Sequence, residues 1–549
     1  MNKPDLFVNT NAWKKLLKEI YKLNYKEFHL KNLVCQKNRL KLFSRQHCNL
    51  FFDFSKQRID NLIFSYLIDM SEELNIKDKF SAMTKGAVVN VTENRPALHT
   101  AARDFSTSEI FITDKDNNRH NILLDIRGVN RKIKKFSGQV HDKTILSGSG
   151  KAFTDAVIIG IGGSYLGLSF IYNAMLSNYQ TKLKLHFLSN VDIDDYAQTI
   201  QTVNPDTTLW IVISKSYTTI ETMANLNQVL LHLQKSNISP EKQLITITSK
   251  GSPGDNPEDP VLESFHMFDF IGGRYSATSA VGGVPLSLAF GYDVFEQFLK
   301  GAHEMDLYAA CSDNGENIPL IAALLNVFNS NALGYKANGI IPYSSALAKL
   351  PSHIQQLSME SLGKSVTTCN EFLDYSTGSI IFGEPGTNAQ HSFFQLAHQG
   401  MAFPIEFIGV INPGYKGECS QFKGVYNHQE LWANMLSQAH SLAAGKNSSD
   451  NARHFPGDRP SSTLIIQDLT AENIGKLLSF YEAKTVFEGF ILNINPFDQF
   501  GVELGKFNAQ DIRKEIVSKN QNSQYKIQNI DDTSKFYLKL LFNKKIIKP

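Results

Sequence analysis

Ala156-Val157-Ile158-Ile159-Gly160-Ile161-Gly162-Gly163-Ser164 reads as a buried strand running into a glycine-rich turn. Leu209-Trp210-Ile211-Val212-Ile213-Ser214-Lys215-Ser216-Tyr217-Thr218-Thr219 repeats the arrangement with hydroxyls in place of most glycines. Each turn precedes a stretch with helical spacing. A small-residue or hydroxyl-rich turn between a strand and a helix points unpaired N–H groups and hydroxyls toward one place. The helix dipole makes that place favourable for an anion, phosphate above all. Two such turns in one α/β unit predict a phosphorylated small molecule at the carboxyl ends of the strands.

Working outward, strand-like runs recur at Leu185–Leu188 and Leu244–Thr248, with helix-length segments between them. After a helical stretch from Ile318 to Tyr335, a second alternating region offers Gly339–Pro342, Ser379–Phe382, Ile405–Ile411 and Thr463–Ile466. Alternation of this kind predicts parallel strands with crossover helices on both faces, and so two α/β sandwiches in tandem. The expected division is a helical N-terminal segment, 1–125, packing on the second α/β domain; a first, smaller α/β domain, 126–292; a second, larger one, 293–510; and a C-terminal helical arm, 511–549. Trp13 to Tyr21 is amphipathic, and little strand signal precedes residue 125. The stretch from Ala444 to Pro460, rich in Gly, Ser, Asn, Asp and Pro, reads as a surface loop.

A chain of 549 residues with 42% hydrophobic and 20% charged residues forms a large core with ease. Its 55 basic and 53 acidic residues leave a net charge of +2, which gives no support to nucleic-acid or membrane-surface binding. The cysteines, Cys35, Cys48, Cys311, Cys369 and Cys419, are odd in number and scattered. No CxxC pair or Cys/His cluster stands out, so neither a zinc site nor a disulfide framework is indicated. A reducing cytoplasmic setting fits, and no run approaches the length of a membrane span.

The two turns have rivals to meet. A dinucleotide fingerprint requires glycine at 165, where Tyr165 stands, and no stretch reads as a Walker A loop. A nucleotide cofactor is thereby disfavoured and a simple sugar phosphate favoured. Thr218 with Glu221 fits a helix capping box, yet four hydroxyls in six residues exceed what one helix start needs. Ser164, Ser214, Ser216 and Thr219 are therefore candidate ligand contacts.

Downstream, Gly272-Gly273-Arg274-Tyr275-Ser276 sets an arginine after two glycines, a plausible clamp for a developing anion. Gln355-Gln356-Leu357-Ser358-Met359-Glu360-Ser361-Leu362-Gly363-Lys364 carries a carboxylate in a mostly uncharged helical context. Gly383-Glu384-Pro385-Gly386-Thr387-Asn388-Ala389-Gln390-His391 is a rigid turn delivering a histidine; His398 lies seven residues on, which excludes a metal pair at i, i+4. Phe497-Asp498-Gln499-Phe500-Gly501-Val502-Glu503-Leu504-Gly505-Lys506 ends in a lysine after glycine.

These segments, in this order and with Asn90–Arg95 and Phe455–Pro460, resemble the glucose-6-phosphate isomerase family over most of the chain. The resemblance implies two sugar-isomerase (SIS-type) αβα sandwich domains in a homodimer, with the active site shared between subunits. It implies an aldose–ketose isomerase for a hexose phosphate, serving glycolysis and gluconeogenesis without metal or organic cofactor. Glu360 corresponds to the base. His391 and Lys506 match residues linked to ring opening, the histidine coming from the partner subunit, and Arg274 matches the one that stabilises the intermediate. Gly163, Ser164, Ser214, Ser216 and Thr219 fall where the family holds phosphate, Lys215 contributes through its backbone, and Gln356 matches a substrate contact.

The chemistry asks for these residue types. A sugar phosphate arrives mostly as a closed ring, so an acid and a base must open it, which suits an imidazole with a lysine partner. One carboxylate then carries a proton between neighbouring carbons through an enediolate that a fixed guanidinium stabilises. The sequence departs from the commonest family pattern at Tyr165, at Ser358 and Leu362 beside Glu360, and at Ala277-Thr278. A sugar-phosphate-binding regulator without turnover, or an isomerase of another hexose phosphate, are the competing readings. Glu360, His391, Lys506 and Arg274 together argue against the first.

Overall fold

The computed structural model describes residues 6–23, 27–106, 109–113, 119–259 and 261–548. They form two compact units, Met1–Phe497 and Asp498–Pro549. The first is an α/β structure built around two sheets.

The strands in chain order are β1 (Ser44–His47), β2 (Leu50–Asp53), β3 (Phe111–Thr113), β4 (Arg119–Asn121), β5 (Asp155–Ile159), β6 (Lys184–Leu188), β7 (Thr208–Ile213), β8 (Leu244–Ser249), β9 (Glu263–Met267), β10 (Ala337–Tyr343), β11 (Ile380–Phe382), β12 (Ile405–Asn412), β13 (Gln421–Phe422), β14 (Val425–Tyr426) and β15 (Ser461–Asp468). One sheet is wholly parallel, in the order β6-β5-β7-β8-β9. The other runs β1-β2-β15-β12-β10-β11, with β10, β11, β12 and β15 parallel and the β1–β2 hairpin antiparallel at one edge. When only the parallel strands of each sheet are numbered in chain order, β6-β5-β7-β8 and β11-β10-β12-β15 both read 2-1-3-4, so the connection pattern occurs twice. In an open sheet of this order the strand succession reverses between the first and third strands, and a crevice opens there at the carboxyl ends.

All eight strands expected from apolar runs are present, within two residues at each end. The β3–β4 and β13–β14 pairs, the strand β9 and the β1–β2 hairpin escaped that reading. β9 is a partly buried edge strand whose Glu263-Ser264-Phe265-His266-Met267 lacks an apolar run. The N-terminal segment expected to be helical also supplies β1 and β2, turned by Cys48 and Asn49 at φ 52° and 63°. Leu50 and Phe52 bury one face of β2 while Asp53 pairs with Thr463 of β15.

The core joins the sheets through helices. Ala471–Ile491 is buried almost throughout, and Tyr292–Cys311 lies against it. The two come within backbone contact: a Cβ on Gly301 would lie 1.8 Å from the Glu472 carbonyl oxygen, and one on Gly475 would lie 2.0 Å from that of Phe298. Buried Arg103 donates to Asp306 at 2.6 and 2.8 Å and to Glu482 at 2.5 Å. The buried guanidinium and the two acids it binds offset one another's desolvation. Among the described residues no helix is long and apolar enough to cross a membrane. The second unit contains the helices Glu503–Gln521 and Asp532–Asn543.

Candidate active site

The glycine-rich turn follows β5 and the hydroxyl-rich turn follows β7, so both flank the point where the strand order of the five-stranded sheet reverses. Ile159 is level with Val212, which brings the two turns out side by side. A Cβ on Gly160 would meet the Ser164 side chain at 2.9 Å and the Ile213 carbonyl at 3.3 Å. Gly163 lies so close to Gly273 that a Cβ would sit 2.2 Å from its carbonyl carbon. The Ser276 hydroxyl closes this contact, donating to Gly273 O at 2.7 Å and Gly163 O at 3.4 Å. Glycine is thus needed at 163 for backbone approach, which draws the arginine-bearing segment onto the first turn.

The hydroxyls of the second turn are not used as helix caps. The helix Ile220–Lys235 begins after Thr219, one residue later than the Thr218–Glu221 pairing predicts, and Thr219 makes no side-chain cap bond. Thr219 Oγ1 instead accepts from Ser214 Oγ at 3.3 Å, and Ser216 Oγ and Thr218 Oγ1 are 2.7 Å apart. The Tyr217 N–H donates to Ser214 Oγ at 3.1 Å, with Tyr217 at φ 54°. These contacts shape the turn and leave the helix N-terminus without a side-chain cap, where an anion is favoured. The Lys215 ammonium turns away, donating to the carbonyls of Asp269 at 2.9 Å and Ile271 at 3.4 Å. Burial, with Arg95 nearby, lowers its pKa. Lys215 therefore braces the second turn to the approach of Gly272 and Gly273.

Glu360 and Gln356 stand on the helix Leu350–Leu362, which follows β10. That helix packs on Leu166–Met175, the helix after the glycine turn, through His353, whose ring lies parallel to Phe170 at 5.9 Å. Gly167 makes room, since a Cβ there would come within 3.3 Å of the imidazole. One turn on, the Gln356 amide nitrogen approaches Gly162 and donates to Glu360 Oε2 at 3.0 Å. The Gln356 carbonyl oxygen is buried and accepts no hydrogen bond from the described residues.

Arg274 completes the cluster. Its Nε donates to Ser361 Oγ at 2.7 Å, its Nη2 to the Pro496 carbonyl at 2.7 Å, and its Nη1 lies 3.5 Å from Glu360 Oε2. The Tyr275 hydroxyl is 3.0 Å from the same Ser361 oxygen. Burial pushes the Tyr275 pKa up to about 12, so the phenol stays protonated. The arginine is almost wholly buried while the Glu360 carboxylate keeps an open side. A partly exposed carboxylate beside a buried, clamped guanidinium can move a proton and steady the charge left behind.

The structure thus brings together Gly163, Gln356, Glu360 and Arg274, and sets Ser214 and the rest of its turn beside the glycine turn. His391 is exposed at the end of the turn Asn388–His391 that follows β11. Gly386 fits against the Tyr343 ring and Gln390 donates to its hydroxyl at 2.7 Å, so that turn is firmly seated. Lys506 is exposed on Glu503–Gln521, in the second unit. Leu362 is wholly buried in the hydrophobic core, Ser358 is buried, and Tyr165 packs edge-on against Phe187 at 5.4 Å. Ser361 and the Pro496 carbonyl went unnoticed in the sequence. Ser361 has the signal of adjacency to Glu360, whereas a backbone carbonyl leaves none.

Known proteins agree with this picture. The profile of the family described as phosphoglucose isomerase matches residues 53–531. The glucose-6-phosphate isomerase of Desulfosudis oleivorans is 51% identical over 538 residues, 97% of this chain and 98% of that protein. That of Treponema denticola is 42% identical, covering 84% of this chain and 87% of its own. The crystal structure of a glucose-6-phosphate isomerase from Chlamydia trachomatis superposes with a TM-score of 0.87 at 34% identity, over 98% of this chain and all of that one. Fold and relatives define the protein as an isomerase enzyme. The chain belongs to the phosphoglucose isomerase family.

Proposed function

We propose that the protein interconverts D-glucose 6-phosphate and D-fructose 6-phosphate, with Glu360 as the base that moves the proton. The observation that carries this reading is the clamped Arg274 guanidinium 3.5 Å from the Glu360 carboxylate, itself tied through Gln356 to the glycine turn. The phosphate sits at the two turns, held by N–H groups and by Ser164, Ser214, Ser216 and Thr219, with Lys215 acting through its backbone. Binding energy at this remote end orients the reacting carbons. Glu360 takes the proton from C2, leaving an enediolate whose oxygen Arg274 stabilises, and returns it to C1 on the same face. The Gln356 carbonyl accepts a sugar hydroxyl.

Ring opening falls to His391 and Lys506 as acid and base. An exposed His391 fits a role in which a second copy of the chain supplies it, making the working form a homodimer. The repeated 2-1-3-4 order supports reading 126–292 and 293–510 as the two SIS-type domains, with helical segments 1–125 and 511–549 around them. Balanced charge and the lack of a spanning helix among the described residues favour a cytoplasmic location.

The test is the Glu360→Gln variant, assayed for fructose 6-phosphate turnover and for fructose 6-phosphate binding. Turnover falls by about 10²–10⁴-fold or more while binding persists. Full activity would remove Glu360 from its role.

A further inference from the structure

Outside the active site, one cluster of ligating side chains joins segments far apart in sequence. The β1–β2 turn presents His47 and Cys48 to Glu304 on the helix Tyr292–Cys311. The imidazole nitrogen, the thiol sulfur and a Glu304 carboxylate oxygen all lie within 4.8 Å of one another. His47 is stacked on Tyr308 at 3.8 Å and 11°, which fixes the plane of the ring. The ammonium of Lys476 faces the same place, 2.9 Å from Glu304 and 2.8 Å from Glu472. Its side chain is buried, whereas both carboxylates reach solvent.

We propose that His47, Cys48 and Glu304 form a binding site for a Zn²⁺ ion. One sulfur, one imidazole nitrogen and one carboxylate oxygen suit this borderline-soft cation, with water as the fourth ligand. Mg²⁺ and Ca²⁺ prefer all-oxygen shells and are poorly served. The thiol proton leaves as the zinc–sulfur bond forms, so each ion bound releases one proton to solvent. The imidazole binds through its neutral lone pair. Glu304 exchanges the Lys476 ammonium for the metal, and Lys476 keeps Glu472, so no buried charge is left alone. Cys48 is partly exposed, which gives the ion a way in. The cluster lies at the hairpin edge of the six-stranded sheet, with β2, β15 and β12 between β1 and the strand that leads to Glu360. Zinc there ties the β1–β2 turn to the long helix and has no part in the isomerisation.

The experiment titrates metal-free, full-length protein with Co²⁺ as a spectroscopic probe, followed by Zn²⁺. One equivalent of Co²⁺ produces a sulfur-to-cobalt charge-transfer band and intense tetrahedral d–d bands, with release of one proton. Zn²⁺ abolishes the bands and raises the thermal midpoint. Cys48→Ser removes the charge-transfer band, and Glu304→Gln, at a surface-reaching position, weakens Co²⁺ binding about tenfold or more. Absence of the band in the parent protein overturns the proposal. So does a band that persists in Cys48→Ser, which would place the metal on Cys35, Cys311, Cys369 or Cys419. Should Cys48→Ser not fold, unchanged Co²⁺ affinity in Glu304→Gln overturns it equally.

Discussion

Nη1 of Arg274 stands 3.5 Å from Oε2 of Glu360, while Nε and Nη2 of the same guanidinium are each held at 2.7 Å by uncharged acceptors, Ser361 Oγ and the Pro496 carbonyl. Both of these acceptors are neutral, so their hold on the guanidinium does not depend on whether Glu360 is carrying a proton. A lysine ammonium has three donors, but they radiate from one nitrogen and cannot reproduce the planar fork that reaches these three partners from separate nitrogens. Arg274→Lys is expected to lower kcat by about 10²–10³-fold with a much smaller change in KM. Steady-state kinetics decide it: a variant whose KM alone rises would mean that Arg274 binds ground-state substrate.

Ser361 is a positioning residue on this account. Removing its hydroxyl leaves Arg274 Nε and the Tyr275 hydroxyl short of a shared partner. Ser361→Ala is expected to cost about 1–3 kcal/mol of folding stability, and to depress kcat about tenfold with KM nearly constant. A stability loss with unaltered kcat would reduce Ser361 to a packing residue.

The backbone contact of Gly163 with Gly273 admits no side chain, because a Cβ would sit 2.2 Å from a carbonyl carbon that cannot swing aside. Gly163→Ala must push the glycine turn away from the Arg274 segment, at about 1–3 kcal/mol. Substrate affinity and kcat both fall, since the turn and the guanidinium are displaced together. Inorganic phosphate competition, measured beside turnover, separates the two losses.

His353 gives a pH signature. Burial pushes its imidazole down to about 4, against about 6.5 in an unfolded chain. Between those values the unfolded state holds more protons than the folded one. Its contribution to stability is therefore complete above about pH 6.5 and is lost as pH falls through about 4. Glu482, raised to about 7 by burial, acts in the opposite sense: its protonated form is favoured in the fold, and that contribution is lost as pH rises through about 7. Comparing the protein with His353→Leu cancels Glu482. Urea midpoints measured from about pH 7 to about pH 5 should fall more steeply in the parent, by the equivalent of about 2 kcal/mol. Parallel slopes would show that His353 titrates as an ordinary surface histidine.

The strands that carry the site were legible because a doubly covered strand must be apolar along its length, as Val157 to Ile159 and Leu209 to Ile213 are. β9 and the β1–β2 hairpin were not, since an edge strand needs one apolar face at most and the hairpin turns on Cys48 and Asn49 without glycine. Within the site, glycines and reactive side chains announced themselves, but the start of the helix after Thr219 was misplaced by a residue. Hydroxyls that bond one another look like caps in one dimension. The Pro496 carbonyl carries no side-chain signal at all. The closeness of His47 and Cys48 to Glu304 depends on a helix that begins near residue 292, far beyond the reach of spacing rules.

The pairing of β2 with β15 has a consequence in time. Asp53 meets Thr463, so about 400 residues must be synthesised before the hairpin can take its place in the sheet. The five strands from Asp155 to Met267, by contrast, are complete as one continuous stretch. At roughly 5–20 residues per second the wait is about 20–80 s. Throughout that interval Leu50 and Phe52, both buried in the finished sheet, sit on a strand with an open edge. The newborn chain therefore carries that open edge until well after Arg274 and Glu360 have been made.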